Sequence, residues 1–238
     1  MVSFCAHLAA GGKVKRAVFV FLAGAFLLAV SKVFSADTNA VLAGWFAAQT
    51  NLQTWSADLT QTRTLKTLTQ PLVASGHVSF AAPGKFRWEI SRPGQTIAVG
   101  DGEKMFVIYP RLKRAELYPM GANAPKEWRD AMALLQAGLP RDRREFAAQF
   151  QVLSLAETNG CWRLKLQPRA AATRQMMPQL VLELATNDFS LVATELIFVD
   201  DSRLRNDFTN AVRNVALDDK LFDWSPPDDF KVSAPFAR

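Results

Sequence analysis

The sequence predicts a mainly β protein, an antiparallel sheet of ten or eleven strands curled or closed into a barrel-like shape, with helices packed across its apolar face. Three observations lead there. From Gly76 to Pro110, Val78 and Phe80 alternate with His77 and Ser79, and Phe86, Trp88 and Ile90 alternate with Lys85, Arg87 and Glu89. A period of two puts aromatics on one face of a strand and charges on the other. Pro83-Gly84, Arg92-Pro93-Gly94 and Gly100-Asp101-Gly102 fall between these runs, where tight turns need such residues. Helical spacing is confined to the start and the middle of the chain. A sheet of that size curls or closes, and its apolar face has to be covered.

Taken in order, residues 37–54 predict a first helix, with Val41, Trp45, Ala48 and Leu52 on one face and Asp37 or Thr38 as its cap. Residues 55–69 switch to period two and become threonine-rich, which suits a strand. After the 76–110 meander comes a short strand, 111–118, and a connection, 119–125. Pro125 opens a second helix over 126–138, in which Trp128, Met132 and Leu135 form an apolar stripe, ended by Gly138 and Pro140. Asp142 and Glu145 have capping-box spacing for a short third helix around 143–149. Strands follow at 150–155, 161–167, 180–184 and 191–199, with Asn159-Gly160 as a hairpin turn. Residues 168–179 carry no periodicity and read as a long loop. A strand around Phe208 and a short one ending in two prolines close the chain.

Residues 1–36 read differently. Lys13, Lys15 and Arg16 precede an apolar run from Ala17 to Val30, and small residues follow at Ser35 and Ala36. This is the pattern of a secretory signal peptide, cleaved after Ser35 or Ala36; the run is short for a membrane-spanning helix, and an uncleaved anchor is the alternative. Of the 28 basic side chains, 24 lie beyond residue 36 with all 22 acidic ones, so the formal charge of +6 falls to +2 for residues 37–238. These 202 residues fit one domain. With no concentrated basic surface, nucleic acid is not an expected partner. Cys161 is the one cysteine of that part, so no intramolecular disulfide is expected.

No constellation of catalytic residues emerges. His77 stands alone on the polar side of a strand, Cys161 has no motif around it, and Asp200-Asp201 and Asp228-Asp229 flank turns. No nucleophile elbow, phosphate loop or dinucleotide fingerprint occurs, so neither an enzyme nor a cofactor nor a metal site is expected. What stands out is the quantity of large apolar residues. They either fill the barrel as core or leave a cavity for a ligand, and periodicity does not separate the two.

Four segments in register are similar to the periplasmic outer-membrane lipoprotein carrier (LolA) family: Trp55 to Arg63 (WSADLTQTR), Gly76 to Glu89 (GHVSFAAPGKFRWE), Pro93 through Asp101-Gly102 to Pro110, and Phe222 to Val232 (FDWSPPDDFKV). The resemblance runs from about residue 37 to 232. It implies an incomplete, half-open antiparallel β-barrel of about 11 strands with a helical lid over a hydrophobic cavity. It further implies a monomeric periplasmic protein that shelters the acyl chains of lipoproteins, or similar amphiphiles, between an inner-membrane transporter and an outer-membrane acceptor. A sensor or adaptor using the same half-barrel to bind a lipid or protein signal is the alternative. On the match, Phe80, Phe86, Trp88, Ile90, Ile97, Val99 and Phe106 line the sheet side, and Trp128, Met132, Leu135 and Leu139 the lid side. Family members often carry an arginine before the proline of the central segment, where it latches the lid; here Ala82 precedes Pro83, so either Arg141, Arg143 or Arg144 takes over the latch or the resemblance is to a divergent member with a different opening cycle or cargo.

Overall fold

The computed structural model describes residues 37–140 and 143–236; the expected leader, Arg141 and the capping residue Asp142 lie outside them. A helix, α1 (Thr38–Gln49), leads into β1 (Thr54–Thr64), β2 (Leu72–Ala81), β3 (Lys85–Arg92), β4 (Thr96–Gly100), β5 (Lys104–Tyr109) and β6 (Arg114–Pro119). Two helices follow, α2 (Lys126–Gln136) and α3 (Arg143–Gln149), then β7 (Phe150–Thr158) and β8 (Cys161–Pro168). The chain continues through α4 (Ala171–Met176), β9 (Gln179–Ala185), β10 (Leu191–Ile197) and β11 (Arg203–Arg213), and closes with β12 (Lys231–Ser233).

All twelve strands form one sheet, in the order β12-β6-β5-β4-β3-β2-β1-β11-β10-β9-β8-β7. Its two ends do not pair, so the barrel is open. Every pairing is antiparallel except that of β12, which lies parallel to β6. The fold class is therefore the expected one, with the twelfth strand supplied by a three-residue segment after the double proline.

Local chemistry accounts for most boundaries. The Asp37 carboxylate accepts the Asn39 N–H and caps α1. Asn159 and Gly160 both hold positive φ, 53° and 73°, as a two-residue hairpin between β7 and β8 requires. Gly76, beside a register shift between β2 and β3, lies so close to Glu89 that a β-carbon there would overlap the Glu89 carbonyl oxygen. Three expectations change. The segment before the double proline is not a closing strand: Asp219–Phe222 forms a 3-10 turn, and the last strand comes after the prolines. The stretch 168–179 is not a long loop, because α4 occupies its middle, with Thr173 buried. The threonine-rich strand stops at Thr64, and residues 65–71 make the turn into β2.

The main core lies on the concave side, between the sheet and the helices. Leu164, Leu166, Leu180, Leu182 and Leu184 point inward from β8 and β9 at alternate positions and are fully buried. Trp45 of α1 is 0% exposed and meets Phe146 of α3 edge-on, with ring centroids 5.4 Å apart. Burying each of these leucines stabilises by about 1.5–3 kcal/mol. A second, smaller cluster occupies the convex face of β4, β5 and β6. Ile97, Val99, Phe106, Ile108 and Ala115 form it, covered by Trp224 and Phe230 from the chain's final stretch. The convex face of the other half is ionic: Glu183 binds Arg163 and Arg205 at 2.8 Å each, and Arg163 also reaches Glu195 at 3.2 Å.

Candidate functional site

Between the concave face and helices α2 and α3 the core is incomplete, and a cavity of about 430 Å³ remains. That is within the range of small-molecule sites, roughly 300–1,000 Å³. Strand pairing explains its wall. Trp55 pairs with Phe80, Val78 with Trp88, Phe80 with Phe86, and Trp88 with Ala98. Paired residues share a face, so Trp55, Val78, Phe80, Phe86, Trp88 and Ala98 make one continuous surface from β1 to β4. From the other side β10 and β11 contribute Leu191, Thr194, Leu196, Leu204, Asn206 and Phe208. Phe208 joins the halves: its ring stands edge-on to Trp55 at 5.1 Å and to Trp88 at 6.2 Å. The roof is Met132, Leu134, Leu135, Ala137, Leu139 and Pro140, with Phe146 of α3.

Six of the eleven residues expected from the sequence line this cavity: Phe80, Phe86, Trp88, Met132, Leu135 and Leu139. Five do not. Ile90 shares the face of Trp88 but packs against the core beyond the cavity wall. Ile97, Val99 and Phe106 belong to the convex cluster. The pairing of Trp88 with Ala98 puts the alanine on the concave side, so its neighbours Ile97 and Val99 face outward, and Phe106 follows as the partner of Val99. Trp128 stacks on Tyr118 of β6 at 4.6 Å and contacts Phe236, fixing the start of α2 to the sheet instead of lining the hollow. Burial and the Glu116 carboxylate, which accepts its hydroxyl at 2.7 Å, push the Tyr118 phenol up to about 12, so it stays protonated there.

The expected reading missed the β10 and β11 contribution and Gln61. Gln61 is in phase with Trp55, Ala57 and Leu59 on β1, and Leu204, Asn206 and Phe208 keep one parity, so period two marks them once the inward face of each strand is known. Charge is scarce in the lining, where Glu145 at the roof is the single ionisable side chain among the described residues. His77, on the convex side, is held by Asp58 at 3.0 Å and Ser56 at 2.7 Å. Among the described residues no three His, Cys, Asp or Glu side chains converge as around a metal ion, and no helix is long and apolar enough to cross a membrane.

Arginines tie the helices to the sheet at other places than expected. Arg143 and Arg144 are exposed on α3. Arg169, just after β8, donates its Nε–H to the Ala147 carbonyl of α3 at 2.9 Å, and its backbone N–H to the Gln149 carbonyl at 2.8 Å. Arg213 of β11 donates to the Ala48 carbonyl at the end of α1 at 2.7 Å. Ala82, just before Pro83, gives its backbone N–H to the Gln53 carbonyl at 2.7 Å.

An open antiparallel half-barrel with a helix-roofed apolar hollow defines a protein built around an internal lipophilic space. The sequence profile of the family described as "Outer membrane lipoprotein carrier protein LolA" matches residues 50–225, and the chain belongs to that family. Two outer-membrane lipoprotein carrier proteins are similar to it. That of Nitrosospira multiformis is 27% identical over 214 residues, 90% of this chain and 94% of the relative. That of Dechloromonas aromatica is 25% identical over 177 residues, 74% of this chain and 79% of the relative. An uncharacterized conserved protein of Thermus thermophilus superposes with a TM-score of 0.49 at 11% identity, covering 82% of this chain and 98% of the other.

Proposed function

We propose that this protein is a periplasmic carrier that buries the acyl chains of lipoproteins, or of similar amphiphiles, in the hollow between its sheet and α2 and α3. The observation that carries the reading is the cavity itself, about 430 Å³ and walled by tryptophan, phenylalanine, leucine and methionine. An acyl chain of about 15 methylenes gains roughly 12 kcal/mol on leaving water, at ~0.8 per methylene. Crossing an aqueous space therefore requires such a shelter. Release requires that the shelter not be a perfect fit, and a roof carrying Met132 adapts to the chain it covers. Family membership supports this role, and the basic-apolar-small pattern of residues 1–36 supports export by a cleaved signal peptide. Cargo would then arrive from an inner-membrane transporter and leave to an outer-membrane acceptor, with the protein acting as a monomer and performing no covalent chemistry.

Native mass spectrometry and displacement of an acyl fluorophore by palmitate test the shelter, and a folded sample that takes up neither lipid nor probe refutes it. Depletion in cells tests the route: lipoproteins should accumulate in the inner membrane, and correct sorting after depletion refutes transport.

A further inference from the structure

The sheet side of the cavity holds a polar patch that an acyl chain does not explain. On three adjacent strands, Gln61 of β1, Asn206 of β11 and Thr194 of β10 stand directly opposite one another on the concave face, and all three line the hollow. The Gln61 amide donates Nε2–H to Asn206 Oδ1 at 2.9 Å, and Asn206 donates Nδ2–H to Thr194 Oγ1 at 3.1 Å. Asn206 is 3% exposed and is flanked on its own strand by Leu204 and Phe208, which line the same space. Polar groups placed among apolar ones cost free energy unless they are hydrogen-bonded. These three satisfy one another only in part. Thr194 accepts in this chain and keeps its own O–H to donate; Gln61 keeps Oε1 and a second N–H, and Asn206 a second N–H. The spare capacity includes three donors, an N–H on each amide and the Thr194 O–H, and it carries no charge.

We infer that this ladder is a subsite for a neutral carbonyl, the ester of an acylglyceryl group or an amide-linked acyl, held at depth inside the cavity. The inference rests on the carrier reading and names the part of the cargo that the apolar wall leaves unrecognised. No lysine, arginine or histidine lines the cavity among the described residues, so nothing at this depth pairs with a carboxylate or phosphate. A carbonyl bearing an acyl chain suits both halves: its oxygen takes the spare N–H and O–H donors, and its hydrocarbon lies along the aromatic wall. From Trp55 to Gln61 the wall follows six residues of β1, roughly 20 Å at ~3.3 Å per residue. The polar patch thus lies at one end of a long apolar track.

The test compares 1-palmitoylglycerol with its ether analogue 1-O-hexadecylglycerol, which lacks only the carbonyl, as competitors of an acyl fluorophore on the purified protein. The wild type should prefer the ester by ~10-fold, the effect of one or two hydrogen bonds to buried donors. Asn206→Leu should bring that ratio near one, and Thr194→Val, which removes a donor with almost no change of shape, should reduce it by ~3-fold or more. Thermal melts accompany each variant. A wild-type ratio of one overturns the subsite and leaves the shelter standing. A ratio that both variants leave unchanged while melting temperature falls makes the ladder a device for strand register alone and also overturns it. Displacement by neither lipid removes the subsite and the carrier reading together.

Discussion

Replacing Trp88 with aspartate places a carboxylate in the cavity wall, between Val78 of β2 and Ala98 of β4 and facing the edge of Phe208. In the empty protein that carboxylate is hydrated by water in the hollow. When an acyl chain enters, the water leaves, and the carboxylate has to be neutralised or carried into an apolar space at a cost of several kcal/mol. Neutralisation is the cheaper route. Protonating a carboxylate of ordinary pKa, about 3.9, at pH 7 costs about 4 kcal/mol at ~1.36 per unit, so acyl affinity should fall by roughly a thousandfold. The sign of the pH dependence follows. The bound state holds the proton, so affinity should rise about tenfold for each unit that pH is lowered, levelling off near pH 4. Titration of an acyl fluorophore at pH 7, 6 and 5 reads this directly, with Trp88→Phe as a control that keeps the wall apolar. Undiminished affinity in the aspartate variant would show that cargo does not meet this wall. A loss that is flat in pH would point to damage elsewhere and refute the reasoning.

Other perturbations should act on the scaffold. Gly76→Ala should destabilise by at least about 3 kcal/mol in denaturant melts, because the obstacle to a β-carbon is the Glu89 backbone and not a movable side chain. Glu183→Gln tests the convex ion network. The Arg205 hydrogen bonds hold the Glu183 carboxyl below its ordinary value, against the opposing effect of burial. A carboxyl with lowered pKa in the folded state stabilises above its unfolded pKa and loses that contribution as pH falls through the folded one. The variant should therefore be less stable by ~1–2 kcal/mol at pH 7, and the gap should close below about pH 4. Arg169→Ala removes the side-chain bond to the Ala147 carbonyl; at about 1 kcal/mol, exchange of amide hydrogens in residues 143–149 should quicken roughly fivefold with little change in β8.

The strands of the meander were readable because Phe86, Trp88 and Ile90 alternate with charges, which distinguishes in from out without reference to any other strand. In β4 the same rule fails. Ile97, Ala98 and Val99 are all apolar, so polarity does not tell one face of the strand from the other. Only pairing with Trp88 shows that the small residue faces the cavity. The helical stripe was legible in period but shifted in detail: Leu134 is the buried leucine of α2, whereas Leu135 is 47% exposed yet still borders the hollow. Residues 171–176 carry no signal of their own in the sequence, because a helix of under two turns shows no periodicity. The ladder of Gln61, Asn206 and Thr194 joins positions up to 145 residues apart, a relation that depends on strand order and not on any local signal.

The convex cluster bears on how a protein keeps a hollow without collapsing into it. At β3 and β4 the sheet presents its front to the hollow, where filling would ordinarily provide its cohesion. Its back compensates: Trp224 lies against Phe106 at 4.9 Å, Phe230 supports Trp224 at 5.8 Å, and β12 binds the margin at β6. A panel braced from behind keeps its curvature whether the room before it is vacant or tenanted. The stretch from Trp224 to Ser233 thus serves as a buttress behind the sheet rather than as a trailing end.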